Sequence, residues 1–518
     1  VKIELSAQNL YDLYSPEVCE KRLYLSYNGG ITPPPGPFEQ LLFKLGRLHE
    51  RRHLETLGTY ADISGGTLES RAARTLDFIK KETGVIYQGV FIGDINVEGT
   101  DVRVASIPDF LIYEPDICPP QAERKGSSCR WAVSERAAQQ RWVIRDAKLA
   151  RHIEKGKHPE IEGQLQIYGL LFETKTGEKP AWLEILQGDG AIVPLEYSAE
   201  AARGYLSTLL GVVKKDAVPY SPVGWSKCGP CGFFGICWGE AQKNKDVALL
   251  PGVDQKLAVF LRKEGAADYE ALIEKYDEAT LSEIKRPHGN TMQRVGKKAR
   301  GILLHAKAFK EGKSIIAGKF EYPESDNYAM FDLEGIPQYT DELEKIYLWG
   351  LKIYGKTPSG FIPALADISP DSDKEVWEKF LENCRVVFEK YGDIPFIHYA
   401  SYERIKLRTY MSRYGDARGI AARVEKNLFD LLPALKNAVV MPEPSYSLKV
   451  IEKSLGFKRT QDEYGGDWAI AKYIEAVEME NEKERKEIMD QIKRYNEEDL
   501  DATWAVFQWL EKLQKGVV

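Results

Sequence analysis

Three cysteines crowd into one Gly-rich stretch, "KCGPCGFFGIC", as Cys228, Cys231 and Cys237, and no fourth follows within reach. Thiolates spaced Cys-x2-Cys-x5-Cys hold three corners of a tetrahedral zinc or of an iron–sulfur cluster, and both favour four soft ligands. The fourth must come from a distant part of the chain. Cys19, in "SPEVCEKRLYL", is the best candidate, because an early helix with one cysteine can close back on a later turn that carries three. Such a closure would clamp together the two ends of a domain spanning roughly 200 residues, as a long-loop crosslink does. A first domain over 1–242 is therefore expected.

A chain of 518 residues exceeds what one hydrophobic core serves, so two or three domains are expected, each large enough to fold without disulfides. Seven cysteines, three of them in one turn region, suit metal binding in a reducing cytoplasm better than a disulfide framework. No secretory signal opens the sequence, and no apolar run approaches the roughly 20 residues a membrane helix needs. A cytoplasmic protein without a membrane partner is the expectation.

Residues 1–242 read as α/β. Helical periodicity in "LSAQNLYDLYSPEVCEKRLYL" gives way to strand-like "VRVASIPDFLIY" and "RWVIRDAKLA", then to a helix in "EIEGQLQIYGLLFE". Between those two strands, residues 114–140 are rich in Pro, Ser and charge and read as a loop insertion whose Cys118 and Cys129 take no part in the metal site. Residues 243–318 read as a helical linker, with "LPGVDQKLAVFLRKEG" and "NTMQRVGKKARGILLHAKAFKEG" its clearest parts. Residues 319–518 open with three strands joined by tight turns and continue as mixed α/β, which suggests an RNase H-like sheet.

Hydrolysing a phosphodiester needs a divalent metal held by carboxylates, a water it activates, and a cation for the developing charge. Asp109 in "IPDFLIY" precedes "IRDAKLA", where Asp146 and Lys148 stand two apart on a strand and project from one face. This is the PD-(D/E)XK arrangement: Asp109 and Asp146 would bind metal, the Ala147 carbonyl could add a ligand, and Lys148 would position the water or stabilise the transition state. Gln164 and Tyr168 follow at i and i+4 on one helix face.

Together with the cysteines, these motifs resemble the iron–sulfur nucleases of the RecB-like PD-(D/E)XK superfamily, including CRISPR-associated and AddB-type members. The resemblance implies a [4Fe-4S] cluster on Cys19, Cys228, Cys231 and Cys237, a DNA-contacting role for Gln164 and Tyr168, and His49 in "GRLHERRH" as a further metal ligand. His53 lies one turn along the same helix.

In the C-terminal part, "MFDLEG" puts Asp332 and Glu334 on one face of a strand, and "RYNEEDLDATW" puts Tyr495 and Asp499 on one face of a helix. Two metals about 4 Å apart need several shared carboxylates, which these supply. The pattern resembles the DnaQ-like DEDD exonucleases of the RNase H superfamily, in the variant with Tyr-x3-Asp as its third motif. "FIHYASYERIKL" stands at the second motif, with Glu403 where aspartate is usual; either Glu403 serves or Asp430 of "LFDLLPAL" takes over, and Glu403 is preferred. Tyr495 would orient the attacking water, and Mg2+ or Mn2+ would be the cofactor.

Net charge is −7, from 71 Lys and Arg against 78 Asp and Glu, so a protein coated for nucleic acid is not expected. A local stripe is: Lys285 to Lys319 holds ten Lys or Arg against Glu311 alone. The "LPGV" turn resembles a helix-hairpin-helix element, and Lys297, Lys298 and Arg300 are candidates for binding the DNA backbone. "GLKIYGKT" matches the P-loop pattern at 350–357, but its residues alternate as a strand and lead into a turn, not a helix, so no motor is expected and any helicase must be a separate partner.

The sequence thus implies a nuclease with two sites, acting on DNA, with single-stranded ends as its target, in repair, CRISPR adaptation or defence. RNA processing, or a nucleic-acid-binding scaffold with one decayed site, is the alternative.

Overall fold

The computed structural model describes residues 3–31, 33–114, 141–154, 156–288, 291–336, 344–366, 372–461 and 465–516. Two compact units divide it: residues 1–35 with 39–221, and residues 36–38 with 222–518. The three-cysteine segment and the helices after it cluster with the second unit, and Cys19 belongs to the first. Cys118 and Cys129 lie outside the described residues.

In the first unit, β1 (Ile3–Ser6) joins β4 (Phe91–Val97) and β5 (Thr100–Ser106) in a three-stranded sheet. A six-stranded mixed sheet runs in the order β2 (Ala61–Asp62), β3 (Val85–Tyr87), β6 (Phe110–Tyr113), β7 (Trp142–Ala147), β8 (Trp182–Leu186), β9 (Ile192–Leu195). Strand β7 is buried from Trp142 to Asp146, as expected of a central strand covered on both faces. Pro108 separates β5 from β6, where the sequence suggested one continuous strand. The helix Pro159–Thr176, capped by Gly177 in the left-handed region, is buried through most of its length, with Leu165, Ile167, Leu171 and Phe172 in the unit's core.

The second unit begins with short helices around a core of Leu249, Leu257, Leu261, Leu272 and Ile302. Here the chain departs from the helical reading of "NTMQRVGKKARG": β10 (Lys285–His288) and β11 (Thr291–Arg294) form an antiparallel hairpin, and the helix starts only at Lys298. Gly296, at φ +57, turns the chain between strand and helix. A short antiparallel pair, β12 (Ile315–Ile316) with β18 (Val439–Val440), flanks the main sheet.

That sheet has five strands in the order β15 (Phe361–Leu365), β14 (Lys345–Gly355), β13 (Asn327–Ile336), β16 (Phe396–His398), β17 (Leu428–Asp430). Only β14 runs against the others. Residues 350–355 of the P-loop look-alike lie in β14, and Lys356 and Thr357 in the bend after it that leads to another strand. The helix Glu482–Gln514 packs across β13 and β14, where Lys352 of β14 pairs with Glu497 at 2.8 Å and Asp501 at 2.7 Å.

Candidate functional site

Strand alternation carries Asp332 and Glu334 to one side of β13, and the long helix brings Asp499 to meet them. One ligand oxygen from each lies within 4.8 Å of the others, the only such group of His, Cys or carboxylate side chains among the described residues. Glu334 and Asp499 are buried and Asp332 is half-buried. Burial and the neighbouring Asp499 push the Glu334 carboxyl up to about 8. Burial, then Asp499, Glu334 and Glu403, hold Asp332 well above the ordinary carboxylate range.

Cations and donors surround this acidic centre. Lys449 and Arg459 both pair with Asp499, and Arg459 also grips Glu452 through two contacts of 2.7 Å. Asn496 donates to Asp332 at 2.6 Å. The Tyr495 ring sits under the Lys449 ammonium at 4.5 Å and against the edge of Trp468 at 5.9 Å. Tyr495 is buried, and its hydroxyl is held well above its usual range by burial and then by Asp499, Glu334 and Asp332.

Glu403 enters from the first turn of the helix Tyr402–Tyr414. It is 4% exposed, 3.3 Å from His398 Nδ1, and raised by burial against the opposing pull of His398. Its charge acts on both Asp332 and Glu334. Asp430 instead accepts from the Ala400 amide at 2.9 Å and the Leu432 amide at 3.1 Å. It therefore caps a helix and clamps a turn in which Ala400 stands at φ +77.

In the first unit, β6 and β7 pair with Phe110 opposite Arg145. Continuing that antiparallel register by one residue sets Asp109 opposite Asp146. Asp109 is raised by burial, then by Asp146 and Glu50, and accepts from the Ala147 amide at 2.8 Å. Lys148 pairs with Asp146 at 2.5 Å and donates to Gln164 Oε1 at 2.8 Å. Burial opposes its charge, but Asp146, Tyr11 and Asp109 together raise its pKa. Gln164 Nε2 donates to the Tyr168 hydroxyl at 2.5 Å and its Oε1 accepts from Tyr11 at 3.1 Å, so the i, i+4 pair and the lysine form one network.

His49 is not brought into this network. Burial lowers its pKa against the pull of the Leu186 and Gln187 carbonyls. The next residue, Glu50, reaches instead: Gln88 Nε2 donates to both Glu50 and Asp109. His53 packs on Phe110 and lies 2.9 Å from Arg145, its pKa lowered to about 4 by burial and the arginine. Glu50, Gln88, Tyr11, Asn496, Lys449 and Arg459 are the site neighbours that sequence reasoning missed.

Cys19 is the N-cap residue of the helix Glu20–Asn28. Cys228, Cys231 and Cys237 are half-buried in the second unit, beside the mutually packed rings of Trp225, Phe234 and Trp238. Lys297, Lys298 and Arg300 are exposed at the start of the helix Lys298–Glu311. Other cations of that stripe are engaged: Arg286 with Asp254 and Arg294 with Glu283.

Residues 329–511 match the RNase_H_2 family of the RNase H superfamily, so the second unit contains an RNase H-like domain. No curated protein sequence matches the chain. Among solved structures, a protein from Eubacterium rectale named as a candidate exonuclease is 13% identical, with 43% of this chain and 91% of that chain covered at a TM-score of 0.23. The protein SSO0001 is 14% identical, with 38% and 96% covered at a TM-score of 0.19. Likenesses at such scores carry no weight for fold or chemistry. Among the described residues, no helix is long and apolar enough to cross a membrane.

Proposed function

We propose that the chain is a metal-dependent nuclease whose C-terminal site removes nucleotides from a nucleic-acid end by phosphodiester hydrolysis. The observation that carries this reading is the gathering of Asp332, Glu334 and Asp499 within 4.8 Å inside an RNase H-like domain. Their donor set is all carboxylate oxygen, which suits hard ions such as Mg2+ or Mn2+. The carboxyls of Asp332 and Glu334, raised first by burial and then by the neighbouring Asp499, fit the same role, since a bound cation offsets both the lost solvation and the repulsion.

When bound, divalent ions supply an activated water and neutralise charge on the phosphoryl oxygens. The chain's own groups do the rest. Asp332, Glu334 and Asp499 would hold the ions, with Glu403 as the fourth carboxylate. Arg459 holds Asp499 in place through a buried ion pair, and Tyr495 would orient the attacking water from a ring held under Lys449. By resemblance to DEDD exonucleases, the direction is 3′ to 5′ and DNA is the first substrate, with RNA the alternative.

A second reading concerns the first unit, where buried Asp146 and half-buried Asp109 and Lys148 form a carboxylate–lysine set beside Gln164 and Tyr168. We assign to it a second, PD-(D/E)XK-type nuclease site; by resemblance to the iron–sulfur nucleases, Cys19, Cys228, Cys231 and Cys237 would be the ligands of a [4Fe-4S] cluster. The exposed Lys297, Lys298 and Arg300 would contact the nucleic-acid backbone, and any helicase or other repair or defence protein acts as a separate partner.

The test is to incubate the full chain with end-labelled single-stranded DNA, duplex DNA and RNA, with Mn2+ or EDTA, and to compare Asp332→Ala with Asp146→Ala. Stepwise shortening that needs Mn2+ and is lost in Asp332→Ala is expected. Binding of all three substrates without cleavage would instead make the chain a scaffold.

A further inference from the structure

Asp332 and Gly350 stand opposite each other on β13 and β14, and the Asn496 side chain lies over this pair. Its residue is fully buried, 0% exposed. Its amide nitrogen donates to Asp332 at 2.6 Å. Its oxygen, by contrast, is buried with no hydrogen-bond partner and points at the Gly350 backbone: a Cβ built on Gly350 would lie 1.8 Å from Asn496 Oδ1 and 3.0 Å from its Cγ. No residue larger than glycine fits there while Asn496 keeps this position. A buried polar oxygen without a partner costs stability, so the arrangement is better explained by what the nitrogen does than by packing.

The helix register makes the placement possible. Lys352 and Tyr354, at the next two positions on the same face of β14, hold Glu497 and Asp501 of the same helix. With those anchors set, the helix delivers Asn496 into the gap at Gly350 and Asp499 to the carboxylates.

We propose that Asn496, seated in a notch made by Gly350, is a positioning residue that sets the orientation of Asp332 for metal binding. The inference rests on the C-terminal site being a metal centre. A carboxylate repelled by the acids around it would otherwise turn away from them in the metal-free protein; a neutral donor holds Asp332 toward them without adding charge. Partners that orient metal ligands in this way typically change affinity by 10–100-fold when removed.

The experiment uses the full chain carrying Asp146→Ala, which removes the first unit's carboxylate site, and titrates Mn2+ by the loss of its free-ion EPR signal, with a thermal melt of each variant. Asn496→Ala, Asn496→Ser and Gly350→Ala should each weaken Mn2+ binding on the order of 10–100-fold. Because Gly350 acts through Asn496, the double variant Gly350→Ala/Asn496→Ala should bind no more weakly than Asn496→Ala alone. If Gly350→Ala fails to fold, the two Asn496 variants decide. Variants that melt earlier yet bind Mn2+ as the parent does would overturn the inference and leave Asn496 a packing residue; additive losses would overturn the link to Gly350. A parent that binds no Mn2+ refutes the metal-centre reading itself, and this inference with it.

Discussion

Arg459 and Asp499 form an ion pair whose side chains are only 2% and 9% exposed, and the same guanidinium holds Glu452, 3% exposed. One buried cation thus serves two buried carboxylates, one of which belongs to the acidic centre. Removing one partner of a buried pair leaves the other charged and desolvated, so Arg459→Met should cost about 3–5 kcal/mol in urea unfolding. Lys449, 31% exposed beside the same aspartate, is screened by solvent, and Lys449→Met should cost under about 1 kcal/mol. Equal costs would mean that Arg459 is not the fixed member of the pair.

The acidic centre should make the metal-free protein sensitive to pH in a defined direction. Glu334 titrates at about 8 in the fold against an ordinary 4.5, so between these values the folded chain keeps a proton that the unfolded chain has released. The stabilising contribution is complete below the unfolded value and is lost as pH rises through the folded one. In EDTA the melting temperature should therefore fall between about pH 5 and about pH 8, and Glu334→Gln should flatten that fall. Saturating Mn2+ should reverse it, because the ion replaces the proton, and binding near neutral pH should release protons detectable by calorimetry in buffers of different ionisation enthalpy.

Glu403 and Asp430 should separate cleanly. The charge of Glu403 is felt by both Asp332 and Glu334, so Glu403→Ala should remove C-terminal cleavage with little change in the melt. Asp430 accepts two backbone amides, so Asp430→Ala should lower stability by about 1 kcal/mol through the lost cap and leave most activity. The opposite pattern would make Asp430 the fourth ligand.

What the sequence made legible follows the range of each interaction. Asp332 with Glu334, and Tyr495 with Asp499, are periodic spacings within one strand and one helix, and such spacings survive into any fold. Asn496 was invisible because its role depends on the register between the long helix and β14, and Gly350 stood out only as the first glycine of the P-loop look-alike. Glu50, linked to Asp109 through Gln88, was not legible beside His49; one step along a helix turns a side chain by about 100°, so adjacent residues meet different neighbours. The hairpin at 285–294 was hidden by a run of polar and basic residues with no apolar alternation to mark its strands.

The cysteine assignment is open to a colour test. Protein purified without air should be brown and carry about four irons per chain, as a [4Fe-4S] cluster requires, and Cys19→Ser or Cys228→Ser should lower both iron content and melting temperature. A colourless protein with stoichiometric zinc would replace the cluster by a zinc site. Iron retained in Cys19→Ser would show that the fourth ligand lies elsewhere.

Lys148 decides whether the first unit cuts. Its ammonium is tied to Asp146 and Gln164, and its charge is held by Asp146, Tyr11 and Asp109 together, so it remains a cation at any working pH. A fixed cation beside a carboxylate pair stabilises charge that grows only as the phosphodiester breaks, so its loss should appear in rate and not in binding. In a chain already carrying Asp332→Ala, Lys148→Ala and Asp146→Ala should each remove the remaining Mn2+-dependent cleavage, while the Kd for a single-stranded oligonucleotide changes by less than about threefold. Gln164→Ala should lie between, because Gln164 orients the lysine and carries no charge of its own. Should binding fall in step with rate, the set is a structural ion pair, and the RNase H-like domain is the chain's one nuclease.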